Sequence, residues 1–433
     1  MRRRFGFCVV AITFCTLMGP YLEVCAAQTI AEVSNPDLLA ERDKGEPSEP
    51  SGLIREAEAG NSTAQFKLGQ DYEHGYGVAV DYGEAMKWLS RAAQQGFARA
   101  QNELGYSYLH GHGVPLDLKQ AFHWLQAAAN QGLAAAQYNL ANMYEHGDYV
   151  SPDYKQAAEL YSKAAEQGLA AAQNNLALLY ETGSGVPQDF SRYFQLLRTA
   201  AQQGDPGAEY NLGLAYLNGK GVPRDSTQAM IWFGKAASQG SAASYYTIGY
   251  LQENGKGVRR NYEEALEMYR RAAEAGLASA QASLGLMYFE GRGAARDYMQ
   301  AAQWFRRSAE QGDPVGETAL GIAYLRGEGL DKDYRQSAEW FRKAAEKGFA
   351  LAQANLGYMF QTGLGGFIDY PEAYKWYLLS AAGGFTQAKL AREQLMQILT
   401  KSQVAEGQLR ASTWLQQHSK SPATAYISEN FKH

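Results

Sequence analysis

Three ladders of residues recur every 36 positions along this chain and restrict what it can fold into. Leu68, Leu104, Leu140, Leu176, Leu212, Ile248, Leu284, Leu320 and Leu356 form the first. Gly75, Gly111, Gly147, Gly183, Gly219, Gly255, Gly291, Gly327 and Gly363 form the second. Gly96, Gly132, Gly168, Gly204, Gly240, Gly276, Gly312, Gly348 and Gly384 form the third. Nine units follow one another with no net insertion or deletion. A unit of this size cannot bury an apolar face alone, so the copies must stack and share one interior. The 433 residues exceed one ordinary globular core, and a stacked array accounts for that length.

Each unit resolves into two helices. In the first copy Ala64, Leu68 and Tyr72 stand four residues apart, which places them on one helical face. Gly69 removes a side chain where the paired helix approaches, and Ala141 and Ala177 serve the same purpose. The first helix stops at Gly75 of a G-x-G turn, where a positive φ is needed. Asp81 is placed to cap the second helix, as are Asp117, Asp153, Asp189, Asp225, Asn261, Asp297, Asp333 and Asp369. That helix carries Ala85, Trp88, Leu89, Ala92 and Ala93, and Trp88 recurs as Trp124, Trp232, Trp304, Trp340 and Trp376. The tryptophans are expected in the core, facing the Ala-Ala pairs. The spacing therefore predicts an all-α fold: an α-solenoid of tandem helix-turn-helix repeats over residues 61–384, preceded by a leading cap helix at 51–60. Residues 385–418 break the pattern and are predicted to form capping helices, with a loose tail at 419–433.

With those residues in place, the pattern resembles the Sel-one-like repeat family, a cousin of the tetratricopeptide repeat. The copy at 97–132 shows the motif in Ala100, Gln101, Leu104, Gly105, Tyr108, Gly111, Gly113, Val114, Asp117, Ala121, Trp124, Ala128, Ala129 and Gly132. The resemblance implies a right-handed superhelix (α/α superhelix) whose first helices line the concave side. It also implies an adaptor that binds proteins. One cysteine-rich branch of the family binds β-lactams, and this chain lacks that branch's cysteines outside residues 1–27. The chain departs from the pattern at Tyr149, Tyr193 and Gln252, which replace a turn glycine, a small alanine and a tyrosine.

The amino terminus reads as an export signal over residues 1–27. Arg2, Arg3 and Arg4 precede an uncharged run from Phe5 to Met18, too short to span a bilayer comfortably, and Ala26 and Ala27 offer small residues for cleavage. A retained amino-terminal membrane anchor is the alternative. Cys8, Cys15 and Cys25 all lie in this segment, so a cleaved chain has no thiol or disulfide. Residues 28–50 hold Pro36, Pro47 and Pro50 among acids and read as a flexible linker. The net charge of −5, with acids and bases interspersed, excludes the basic stripe that duplex nucleic acid requires. Localisation is expected to be periplasmic or secreted, with no transmembrane span after signal removal. Asn61-Ser62-Thr63 is a glycosylation sequon, relevant only to a eukaryotic source.

Nothing in the sequence assembles catalytic chemistry. His74, His110 and His146 share one repeat position with His112 nearby, but equivalent positions lie at least a packed-helix spacing apart, roughly 8–10 Å. Metal bonds of about 2 Å do not bridge that gap. The G-x-G turns lack the Lys-Ser/Thr of a phosphate loop. No metal and no cofactor is implied. What remains is a groove lined by positions 66, 70 and 73 of each unit, which vary while the core positions do not. The candidate partner-binding residues are Phe66, Tyr106, Tyr138, Tyr210, Tyr246, Tyr250 and Tyr358, because tyrosine gives a large contact area with a polar tip. Asn139, Asn175, Asn211 and Asn355 are expected to brace turns. The function expected is a non-catalytic scaffold holding a protein or peptide. A glycan-binding solenoid and a cell-envelope hydrolase are the alternatives.

Overall fold

A computed structural model describes residues 50–418, with side chains from residue 52. The signal at 1–27, nearly all of the linker at 28–50 and the tail at 419–433 lie outside the described residues. Every regular element described is a helix. The helices fall into two compact units, residues 50–239 and 240–418. The first holds α1 (Pro50–Glu58), α2 (Ser62–His74), α3 (Tyr82–Gln94), α4 (Ala98–His110), α5 (Leu118–Asn130) and α6 (Ala134–His146). It continues through α7 (Tyr154–Glu166), α8 (Ala170–Thr182), α9 (Phe190–Gln202), α10 (Pro206–Asn218) and α11 (Ser226–Ser238). The second holds α12 (Ala242–Asn254), α13 (Tyr262–Glu274), α14 (Ala278–Glu290), α15 (Tyr298–Glu310) and α16 (Pro314–Arg326). It ends with α17 (Tyr334–Glu346), α18 (Ala350–Thr362), α19 (Tyr370–Ala382), α20 (Thr386–Met396) and α21 (Lys401–Gln417). Within each unit the helices pack on their neighbours in sequence, except that α21 packs on α19, the arrangement of an α-solenoid with a capped end.

The turn chemistry expected from the sequence is present. Gly75 closes α2 at φ 76°, and its N–H donates to the Asp71 carbonyl. The Asp81 carboxylate then accepts from the N–H groups of Gly83 (2.9 Å) and Glu84 (3.0 Å), satisfying two donors at the start of α3. The Asp81 N–H returns to the Tyr72 carbonyl at 2.9 Å, which fixes the loop between the paired helices. Tyr149 holds the second turn-glycine position at φ 69°, the one non-glycine residue with positive φ among the described residues.

Close approach of the paired helices explains Gly69 and its equivalents. A methyl at Gly69 would lie 2.8 Å from Leu89 Cγ, and one at Gly213 would lie 2.5 Å from the Phe233 ring. The bulky residue filling this contact is therefore at position 89, and not at the tryptophan position 88. Leu89, Leu125, Tyr161, Leu197 and Phe233 are buried, as are Tyr269, Phe305, Phe341 and Tyr377. Of the tryptophans, Trp88 and Trp376 are buried, whereas Trp124, Trp232, Trp304 and Trp340 are only half-buried. Cations cover three of these four: Lys235 sits 3.7 Å from the Trp232 ring centre, Lys343 3.7 Å from that of Trp340 and Arg307 4.6 Å from that of Trp304.

A buried glutamine ladder stitches successive helices. Gln101 Nε2 donates to the Ala93 carbonyl at 3.1 Å, while its Oε1 accepts from Gln131 Nε2 at 2.7 Å. Gln65, Gln173 and Gln281 repeat both bonds. Where the partners change, the bond survives: Gln239 donates to Glu209 at 2.8 Å and Lys347 to Glu317 at 2.6 Å. The Ala-Gln start, present in six of the nine repeats, is thus as structural as the leucine ladder.

Candidate functional site

Positions 70, 73 and 74 lie within one helical turn of each other on each first helix and share a face. Four of the seven candidate residues do not present their rings there. Phe66 is 7% exposed, Tyr210 5%, Tyr246 1% and Tyr250 4%. Position 66 turns inward and meets rings from outside its own helix: Phe66 is 5.2 Å from Phe97, Tyr210 5.6 Å from Phe233 and Tyr246 5.6 Å from Tyr269. A helix in a stack packs against two second helices and the adjacent first helices, so its buried arc is wider than in an isolated pair. That arc includes position 66. Tyr106, Tyr138 and Tyr358 remain half-buried, with Tyr138 5.8 Å from Tyr161.

The recurring asparagines do not brace turns. They lie within the first helices: Asn139 Nδ2 donates to Asn102 Oδ1 of the preceding first helix at 3.0 Å, and Asn211 to Asn174 at 2.9 Å. Asn355 donates within its own helix to the Leu351 carbonyl at 2.9 Å.

The polar groups of the face come partly from below it. Where position 89 is tyrosine, its hydroxyl reaches position 73. Tyr161 Oη lies 2.6 Å from Glu145 Oε2 and accepts from Asn175 Nδ2 at 3.2 Å. Tyr269 donates to Glu253 at 2.7 Å and Tyr377 to Gln361 at 2.8 Å. Burial, reinforced by the adjacent glutamates, holds the Tyr161 and Tyr269 hydroxyls well above the usual phenol range. These groups are therefore fixed donors at neutral pH. The sequence signal was available: tyrosine at 89 accompanies Glu or Gln at 73 in all three copies.

A second pairing joins neighbouring repeats. Glu181 accepts from Lys220 at 2.6 Å and Glu253 from Arg292 at 2.5 Å, position 73 meeting the middle residue of the next G-x-G turn. At the start of the array this turn residue is His112, which joins Tyr106 and His110 in an aromatic cluster. The Tyr106 and His110 rings are 4.2 Å apart, and those of His110 and His112 5.7 Å. Burial and the neighbouring His112 lower the His110 pKa, while Asp148 acts the other way. His74 and His146 contact carbonyls of their own helices, of Gln70 at 3.0 Å and Asn142 at 2.8 Å. Among the described residues no group of three or more His, Cys, Asp or Glu is arranged to hold a metal ion.

The face is therefore a surface for contact, with half-buried apolar residues (Leu178, Leu214, Leu217) between fixed hydrogen-bonding groups. Comparison with known proteins agrees with this architecture. A protective antigen present in uropathogenic Escherichia coli strains, displaying an SLR fold, is 32% identical over 88% of this chain and 89% of that one, with a TM-score of 0.49. A Sel1 repeat protein from Oxalobacter formigenes is 33% identical over 71% of this chain and 89% of its own, with a TM-score of 0.53. Curated proteins give no match. The family model described as Sel1 repeat matches nine consecutive segments: 62–97, 98–133, 134–169, 170–205, 206–241, 242–277, 278–313, 314–349 and 350–385. The chain belongs to the Sel1 repeat family.

Proposed function

We propose that the chain is a non-catalytic scaffold, exported to the periplasm or the extracellular space, that holds a protein partner on its first-helix face. Sel1 repeat proteins are generally protein-interaction scaffolds and generally non-catalytic. The observation that carries the reading is the contrast within each first helix. Positions 64, 65 and 68 are buried and nearly uniform, while positions 70 and 73 change character from copy to copy and are mostly half-buried. Packing does not require that variety, and recognition of an irregular partner does. Arg2–Arg4 and the uncharged run after them support export. No described helix is long and apolar enough to cross a membrane.

The binding residues are Tyr106, Tyr138, Leu178, Leu214 and Leu217 on the first-helix face of the unit at residues 50–239, and Tyr358 on that of the unit at residues 240–418. Phe66, Tyr210, Tyr246 and Tyr250 support the surface from inside. Sealing four of the seven aromatic rings also removes most of the stacking area that a glycan would use, which favours the protein partner.

Site-specific photo-crosslinking tests the reading. A photoreactive phenylalanine at Tyr106, Leu214 or Tyr358 should capture a protein from envelope extract. The same probe at Arg198 or Arg306, on exposed positions of second helices, should not. Equal capture from both faces would place the binding surface elsewhere.

A further inference from the structure

Among the described residues, the position-73 acids Glu73 and Glu145 lack the turn cation that Glu181 and Glu253 receive. Glu181 and Glu253 each receive a basic side chain of the chain itself, from Lys220 and Arg292. At the corresponding places Glu73 faces a repeat whose turn residue is His112, and Glu145 one whose turn residue is Ser184. Glu145 accepts from the neutral hydroxyl of Tyr161, and among the described residues no ion pair is formed by it. Next to Glu73 a second acid, Glu103, takes the position that is asparagine at 139, 175, 211 and 355. Glu103 is 8% exposed. Its Oε1 accepts from Gln70 Nε2 at 2.6 Å, and its Oε2 is buried without any hydrogen-bond partner. Gln70 stands one turn before Glu73 on α2, and the charge of Glu73 acts on Glu103, so the orphaned oxygen lies just beneath the surface that Glu73 presents. Tyr106 stands one turn along α4 from Glu103, with its ring against His110 at 4.2 Å and His112 at 5.9 Å.

We infer that Glu73 and Glu103, with Tyr106 one helical turn away, form a slot for a basic side chain of the protein partner, arginine above all. This inference rests on the scaffold reading and names the partner's chemistry. A guanidinium supplies several N–H donors in one plane, enough for the empty Glu103 Oε2 and for Glu73 together, and it stacks on an aromatic face. Lys220 and Arg292 show the same occupancy made within the chain: a cation from the next turn seated on the position-73 acid. Burial, then the charge of Glu73, pushes the Glu103 carboxyl up to about 8, and neither the Gln70 hydrogen bond nor the more distant charge of Arg99 offsets that rise.

The test uses the full chain and a fluorescein-labelled peptide of alternating glycine and arginine, with a second peptide carrying citrulline, the neutral isostere, in place of arginine. At fixed ionic strength the arginine peptide should bind at least about tenfold more tightly than the citrulline peptide. The double variant Glu73→Gln, Glu103→Gln should lose about tenfold, and Glu103→Asn alone, which installs the residue of the other repeats, should lose a measurable part of that. Glu181→Gln and Glu253→Gln, whose acids already hold Lys220 and Arg292, should lose less than about twofold. Equal binding of the two peptides would overturn the slot, as would equal losses across all four acids, which would mean diffuse attraction. The scaffold reading fails separately, through the crosslinking experiment: capture at Tyr106 that persists when the arginine peptide fails to bind rejects the slot and leaves the scaffold standing.

Discussion

A methyl group added at Gly185 would collide with the Tyr154 carbonyl, whereas one added at Gly168 would meet nothing within 4 Å. Both glycines have positive φ, 70° and 91°. Gly168→Ala should therefore cost only the left-handed backbone strain, about 1–2 kcal/mol. Gly185→Ala should cost clearly more, because the turn must lift away from the start of α7. Urea denaturation of the two variants separates the terms, and equal losses would mean the turn contact is unimportant. Glu103 gives a second prediction at this scale. Its folded pKa of about 8 exceeds the ordinary 4.5, with burial and Glu73 raising it and Gln70 and Arg99 opposing. The folded chain thus holds a proton that the unfolded chain releases, and the stabilisation is complete below pH 4.5 and lost as pH rises through 8. Glu103→Gln should match the parent near pH 4 and exceed it by on the order of 3 kcal/mol at pH 8 to 9. Thermal melts across that range would show no crossover if the carboxyl were already ionised at neutral pH.

Between helices, the glutamine ladder sets how strongly one pair grips the next. Gln101→Leu leaves the Ala93 carbonyl and the Gln131 amide without their partner and should cost about 1–3 kcal/mol. Replacing the Glu317–Lys347 pair by two glutamines rebuilds the geometry of Gln281 and Gln311, so that double variant should stay within about 1 kcal/mol of the parent in the same measurement. Helix positions, caps and the Gly69 contact were legible in the sequence because each depends on one residue at a fixed spacing. The lining of the first-helix face was legible only in part. Counting turns on one helix puts positions 66, 70 and 73 together. It does not reveal that Phe66 meets Phe97, or that Tyr246 meets Tyr269, since those contacts come from other helices. The Glu181–Lys220 and Glu253–Arg292 pairs recur at one spacing, but a sequence shows that only after the stacking of turns is known.

At the scale of the molecule, stability in a stacked array is a sum of copies and their interfaces, so the end of the array governs how far unfolding spreads. In the unit of residues 240–418, α21 lies against α19. Arg410 pairs with Asp369 at 2.9 Å and with Glu372 at 3.0 Å, and the Trp376 and Trp414 ring centres are 6.1 Å apart. A methyl at Gly407 would meet Tyr374 at 2.7 Å, so the two helices approach as closely as a pair within a repeat. This contact keeps Tyr374 and Trp376 buried on the last second helix. Deleting residues 401–433 exposes both rings and strands Asp369 and Glu372 without Arg410. Hydrogen exchange should then accelerate in α19 and α20, less in α18, and remain at parental rates in α12 to α14, because those helices keep every neighbour they had. Uniform acceleration from α12 onward would instead show that this unit opens as one cooperative block, with interfaces far stronger than the copies they join.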